Sequence, residues 1–217
     1  TDLSRDVQEE IKGLYPGIQT FSNHREMFAQ CPTDIVCVST WPPSHLEVAL
    51  DALDLPLTGI VVEKPLADNA ADGRVICDLI RKKNLPVVVP HGLLVSGHVD
   101  CILAHAHNGE LGHIKLIEIQ CTNWDIINAG IHWLNFVVNL VDEPFDHLLA
   151  ACDKTTRTYR DGMQVETLSV TTIQTKSGTR IVMHCGDYVS INGNGGIVFR
   201  IIGTDGDIEF YGWKSAY

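Results

Sequence analysis

Lys64 closes an apolar run, Ile60-Val61-Val62, in the stretch GIVVEKPLAD at residues 59–68. A short β-branched run reads as a buried strand, and Pro65 biases Lys64 toward extended backbone, so the strand stops abruptly on Glu63 and Lys64. An ammonium at such a strand end can hydrogen-bond a substrate hydroxyl or carbonyl, and partial burial would bring it toward acid–base use. The competing reading is a solvated lysine just past a strand. A second candidate is His132, in the apolar segment NAGIHW at 128–133. Asn128 precedes it by four residues, a spacing that puts both on one face of a helix. Imidazole exchanges protons near neutral pH, whereas an isolated histidine in an apolar segment can equally be a satisfied core residue.

The stretch STWPPSH at 39–45 supplies the hydroxyls of Ser39 and Thr40. A helix should begin around Pro42-Pro43, with Pro43 or Ser44 near its start. Its N-terminus could face a pyrophosphate or simply be capped. The histidines of HAHNGELGH at 105–113 stand two apart, so a helix points them in different directions, and no carboxylate beside them completes a zinc set. No metal is expected. NGNGG at 192–196 lacks the strand-to-helix context of a phosphate loop and reads as a turn.

The elements that must position these residues follow from hydrophobic periodicity. Residues 3–14 and 23–30 read as helices. TDIVCVST (33–40), TGIVVEKP (58–65) and PVVVPHG (86–92) read as strands. Residues 42–54 and 68–84 read as the helices between them. Solid apolar strands alternating with helices predict a parallel sheet covered on both faces. Right-handed crossovers align the strand C-termini on one edge, where ligands bind in open sheets. The segments VST, EKP and PHG therefore point to one crevice.

The second half reads differently. Helices are predicted over 96–109 and 129–141, and an alternating strand over 113–124. From about residue 147, strand-like runs are broken by Ser-Gly, Asn-Gly and Asp-Gly turn signals, which predict an antiparallel sheet. The fold class is α/β: a Rossmann-type domain over 1–94 and an α/β domain over 95–217.

The 217 residues are 45% hydrophobic and 20% charged, ordinary for a globular protein, with a net charge of −11. That charge argues against nucleic acid as a partner. No apolar stretch reaches a membrane span of roughly 18 residues, and the start shows no signal peptide. The seven cysteines, with no C-x-x-C pair, predict reduced, buried thiols in a cytoplasmic protein, Cys37 among them.

DIVCVSTWPPSHLEVALDAL, GIVVEKPLA, NGELGHI and NAGIHWLNF together resemble the Gfo/Idh/MocA oxidoreductases, in that order and at similar spacing over essentially the whole chain. The resemblance implies a dinucleotide-binding domain followed by a domain with a large open, mostly antiparallel sheet that forms the interface of a homodimer or homotetramer. It implies NAD or NADP as cofactor and hydride transfer to or from a hydroxyl or carbonyl carbon of a sugar or polyol. Carried over by position, Lys64 lies near the nicotinamide and the substrate oxygen, and His132 shuttles the proton. Ser39, Thr40, Pro42, His45 and Glu63 line the cofactor.

Three departures stand out. The glycine-rich turn is not found. Either roughly 30 residues precede Thr1, the length of one strand–turn–helix–strand unit, or the chain holds a dinucleotide poorly. Asp2 then falls in the ribose-recognition neighbourhood, and Asp2 and Arg5 bear on NAD against NADP. Asn128 stands where the family often has aspartate, and Asn135 where a second is common. PHGLL at 90–94 replaces the usual Asn/Arg pair, leaving His91 as the polar side chain at that crevice position. Two rival functions remain: a non-catalytic ligand-sensing or scaffolding protein, favoured by Asn128, and a cofactor-assisted hydrolase or lyase on the same fold.

Overall fold

A computed structural model describes residues 1–159, 162–187, 196–211 and 215–216. The chain forms two compact units, Thr1–Pro90 and His91–Tyr217. The division falls after Pro90 rather than after residue 94, because Gly92–Val95 form a 3-10 turn with Leu93 in the core of the second unit.

In the first unit, helix α1 spans Arg5–Leu14, capped by the Ser4 hydroxyl, which accepts from the Val7 N–H. Helix α2 spans His24–Gln30 and is capped by Asn23. Strands β1 (Ile35–Val38), β2 (Gly59–Val62) and β3 (Val87–Val88) form a parallel sheet in that order. Between them run α3 (Pro42–Leu53) and α4 (Ala70–Lys83). Asn69 caps α4, and Arg81, Lys82 and Lys83 in its last turn complement the helix dipole.

Register puts Val36 beside Ile60 and Val38 beside Val62. This face is buried against Val48, Ala49, Ala52 and Leu53 of α3 and Ile76 and Ile80 of α4. The opposite face keeps Ile35, Cys37 and Val88 exposed. The expectation of a sheet covered on both faces is therefore corrected for the described residues, and with it the expectation that Cys37 is buried. A strand's side chains alternate between faces, so Cys37 takes the open one. Strand β3 has two residues where seven were expected. Pro86 and Pro90 flank it, and proline cannot donate to a ladder.

In the second unit, α5 (Gly97–His107) and α6 (Ile131–Val141) pack on one face of a seven-stranded sheet. Its strands are β4 (Ile114–Thr122), β5 (Phe145–Cys152), β8 (Leu168–Thr175), β9 (Arg180–Gly186), β10 (Ile197–Gly203), β11 (Asp207–Tyr211) and β12 (Ser215–Ala216). Strands β6 (Thr156–Thr158) and β7 (Gln164–Glu166) form a separate ribbon. The order is β12-β11-β10-β4-β9-β8-β5, antiparallel except for β4 beside β9. Alternation is regular in β4, where Ile117, Ile119 and Cys121 are buried and their neighbours half-buried. Trp133 and Phe136 of α6 pack against Phe199 and Phe210, whose rings stack at 4.8 Å. Of the turn expected at 192–196, only Gly196 lies within the described residues.

The helix expected over 129–141 begins later. Residues Ile126–Gly130 form a π-turn, in which the Ile131 N–H reaches back five residues to the Ile126 carbonyl. Asn128 therefore sits in the wider turn and His132 in the regular helix that follows. They are not one α-turn apart on a continuous helix.

Candidate active site

The first unit offers its strand ends. Strands β1 and β2 run parallel, so Ser39-Thr40 and Glu63-Lys64 leave the sheet at the same edge. Ser39 and Thr40 are exposed, and Glu63 and Lys64 are half-buried. The Glu63 N–H donates to the Val38 carbonyl at 2.9 Å, which ties the end of β2 to the end of β1. The Lys64–Pro65 bond is cis, and the Lys64 N–H donates to Glu63 Oε2 at 3.0 Å. Glu63 thus spends one carboxylate oxygen on its own turn.

His45 is fully buried. One ring nitrogen, Nδ1, lies 2.9 Å from the Pro65 carbonyl, and Nε2 lies 2.8 Å from the Thr40 carbonyl. The ring bridges the two strand-end loops. It offers no surface to a ligand and ties Thr40 to Pro65.

Helix α3 starts at Pro42, in line with the helix expected over 42–54, with Trp41 as N-cap and Pro43 and Ser44 in its first turn. Prolines at its first two positions lack N–H groups, and the Ser44 N–H is committed to the Trp41 carbonyl. This N-terminus offers few of the donors that a pyrophosphate needs. The Ser44 hydroxyl donates to Thr40 Oγ1 at 2.8 Å. Pro42 is half-buried at the helix start. Asp2 and Arg5 are exposed at the start of α1, where Asp2 Oδ1 accepts from the Ser4 N–H at 2.7 Å.

On α2 and α3 of the same unit, His24, Glu47 and Asp51 gather in the one group of possible metal ligands found among the described residues. The Arg25 guanidinium donates to both carboxylates, through Nε to Asp51 at 2.7 Å and through Nη2 to Glu47 at 2.8 Å. A cation already fills that place. Hydrogen bonds from His24 first, and then Arg25, hold the Asp51 carboxyl below its ordinary range against the opposing effect of burial.

The second unit carries three of the expected polar residues, His91 half-buried and Asn128 and His132 buried. His91, at the start of the 3-10 turn, sets its ring edge-on to that of His132, with centroids 5.2 Å apart and planes at 84°. His132 and Asn128 are nearly buried, at 9% and 8% exposure. A Cβ at Gly130 would stand 2.3 Å from Met183 Cε, which places the π-turn close to β9. One residue that sequence reasoning passed over is Asp125, fully buried at the N-cap of the π-turn. Its Oδ1 accepts from the Asn128 N–H at 2.8 Å and from Asn128 Nδ2 at 2.9 Å. The available signal was an aspartate three residues before a potential donor at a helix start. Glu166 was missed as well. Its Oε1 accepts from the Ile126 N–H at 2.7 Å and from the Ser169 hydroxyl at 3.3 Å.

Residues 5–91 match the model of the Gfo/Idh/MocA family, described as an oxidoreductase family with an NAD-binding Rossmann fold. The inositol 2-dehydrogenase/D-chiro-inositol 3-dehydrogenase of Shouchella clausii is 25% identical, over 96% of this chain and 62% of its own. An uncharacterized oxidoreductase, YfiI of Bacillus subtilis, is 26% identical over 56% of this chain and 30% of its own. The chain thus spans about two thirds or less of the curated relatives it matches. Among solved structures, the WlbA dehydrogenase of Bordetella pertussis, in complex with NADH and UDP-GlcNAcA, matches with a TM-score of 0.83 at 16% identity. That match covers 99% of this chain and 71% of the other. An inositol dehydrogenase homologue of Azotobacter vinelandii, with NADH and myo-inositol, gives 0.74 at 18%, covering 88% and 55%. At these identities the structural matches establish the fold.

Proposed function

Because the chain belongs to the Gfo/Idh/MocA oxidoreductase family, we propose that it serves an NAD- or NADP-dependent oxidation or reduction at a carbinol carbon of a sugar or polyol. The observation that carries this reading is Lys64, half-buried where the central strand of a parallel sheet ends beside the Ser39 and Thr40 hydroxyls. The exposed hydroxyls and the ammonium suit the nicotinamide and ribose end of a dinucleotide. A cradle for its diphosphate is not found among the described residues. Asp2 would suit the ribose hydroxyls of NAD, and Arg5 the extra phosphate of NADP.

When bound, the cofactor supplies hydride chemistry. Lys64 hydrogen-bonds the substrate oxygen and stabilises negative charge as it develops there. His132 takes the hydroxyl proton as a carbonyl forms and returns it in the reverse direction. Asn128 has no ionisable group, so it orients a substrate hydroxyl without exchanging a proton. The buried setting of Asn128 and His132 keeps bulk water from competing for those hydrogen bonds.

The relatives' names support the substrate class: one is an inositol dehydrogenase, and one solved structure holds myo-inositol. The outer face of the seven-stranded sheet supports a homodimer or homotetramer, since β5 leaves Leu149 72% exposed and β8 leaves Val170 exposed. Sedimentation of the intact protein as a monomer would remove that part of the proposal. Among the described residues no helix is long and apolar enough to cross a membrane, and seven free thiols fit a reducing, cytoplasmic setting.

A second reading, a ligand sensor or scaffold on the same fold, is favoured by Asn128, which cannot ionise. Turnover separates the two. The intact protein, given NAD or NADP and a panel of inositols and hexoses, should reduce the cofactor, and Lys64→Ala should lower that activity about 1000-fold with the fold intact. Cofactor binding without turnover of any panel member would favour the sensor.

A further inference from the structure

Helices α5 and α6 end at the same corner of the second unit. Their last residues, Ala106 and His107 of α5 and Leu140 and Val141 of α6, line one cavity of about 360 Å³. Residues 112–115, which lead into β4, line it as well. The π-turn with Asn128 follows the other end of β4, roughly 25 Å away along a strand of nine residues. The groups around this cavity have no part in the proposed hydride chemistry.

Charge of both signs lines it. Side chains alternate along β4, and Lys115 continues the inward row of Ile117, Ile119 and Cys121 at its exposed end. Glu143 lines the same cavity. The Ser177 N–H donates to Glu143 Oε2 at 2.9 Å, and the Ser177 hydroxyl donates to Oε1 at 2.6 Å. Hydrogen bonds from the Ser177 hydroxyl first, and then from Thr175, hold the Glu143 carboxyl below its ordinary range against the opposing effect of burial.

Helix α6 adds to the negative side. Its last turn has no basic residue, and the carbonyls at a helix C-terminus carry partial negative charge. His107 Nε2 lies 3.1 Å from the Leu140 carbonyl, and a carbonyl oxygen has a second lone pair to offer. Lys115 and Glu143 share the cavity yet form no ion pair with each other or with another of the described residues. Each charge is left for a ligand to meet.

We propose that this cavity binds a small zwitterion of the α-amino acid class, with its ammonium on Glu143 and the end of α6 and its carboxylate on Lys115. A lone cation would meet the like charge of Lys115 there, and a lone anion that of Glu143, and like charges brought together cost affinity. The volume is at the small end of ligand pockets, and Ala106, Leu140 and Val141 suit an aliphatic side chain. The site stands independently of the roles given to Lys64 and His132.

Titration of the intact protein with glycine, L-alanine, L-valine and L-leucine, followed by calorimetry and by nitrogen-15 NMR, tests this. At least one should bind saturably, with the largest amide shifts at Lys115, Glu143 and Ser177. For the one that binds most tightly, the acid without its amino group and the amine without its carboxylate should each bind about 10- to 100-fold more weakly, the scale of one hydrogen bond to a charged group. Lys115→Met and Glu143→Gln should each weaken binding by a similar factor. Lys115 is exposed, so its replacement leaves the fold intact and carries the test alone if Glu143→Gln does not fold. No saturable binding of any of the four would overturn the proposal. So would shifts centred on Asn128 and His132, an analogue with a single charge that binds as tightly as the amino acid, or an unchanged affinity in Lys115→Met.

Discussion

The two units hold their chemistry-bearing residues in opposite ways. In the first, Ser39, Thr40, Glu63 and Lys64 stand at the open ends of four-residue strands, exposed or half-buried. In the second, Asn128, His132 and Asp125 lie in or against a core that includes Trp133, Phe136, Phe199 and Phe210. A strand end can change its side chain at little structural cost, because the ladder behind it supplies the stability. A buried polar residue cannot, because its hydrogen bonds and its packing are part of the same core. Functional loss should therefore separate from unfolding in the first unit and accompany it in the second.

That contrast is sharpest at Lys64. Lys64→Ala should lower turnover by about 1000-fold, the upper range for one group stabilising developing charge. The thermal midpoint should move little, because the side chain is half-buried at a strand end. A large drop in midpoint would break the comparison. Phe199→Ala should do the reverse. Phe199 is fully buried and packs on Trp133, Phe136 and Phe210. Its loss should cost about 3–5 kcal/mol in denaturant unfolding of the second unit.

His45 is the exception that sharpens the rule. It serves a strand-end site yet is as buried as the residues of the second unit. His45→Ala should cost about 1–3 kcal/mol by leaving the Thr40 and Pro65 carbonyls without their ring partner. It should also weaken cofactor affinity, measured by titration. An unchanged affinity would show that the loops keep their places without the bridge.

The smallest effect is expected in acid. The Asp51 carboxyl is held low in the folded chain by His24 and Arg25. Its contribution is therefore complete above the unfolded value near pH 4 and is lost as pH falls through the lower folded value. Solvent screens this pair, so Asp51→Asn should lose no more than about 0.5 kcal/mol at neutral pH, and the difference from wild type should vanish in strong acid.

The same contrast governs how much could be read from the residues alone. Strands β1 and β2 and helices α3 and α4 were legible because their β-branched runs, Pro-Pro start and amphipathic spacing act locally. The strand ends carrying Lys64 and Thr40 were legible for that reason. Cys37 was not, since alternation says that it faces away from Val36 and Val38 but not which face is covered. The large sheet of the second unit was legible from alternation and turn signals, yet the parallel pairing of β4 with β9 joins segments far apart in the chain. The π-turn at 126–130 escaped because NAGIHW has the periodicity of a plain helix. Asp125 escaped with it, since its importance lies in the atom that it grips rather than in its spacing.

The proposed cofactor-dependent oxidoreductase must bind a nicotinamide cofactor, which a sensor that kept the fold need not do. Calorimetric titration of the intact protein with NADH and with NADPH tests its first requirement most directly. Saturable binding of at least one of them is expected, at one site per chain. No binding of either would contradict it.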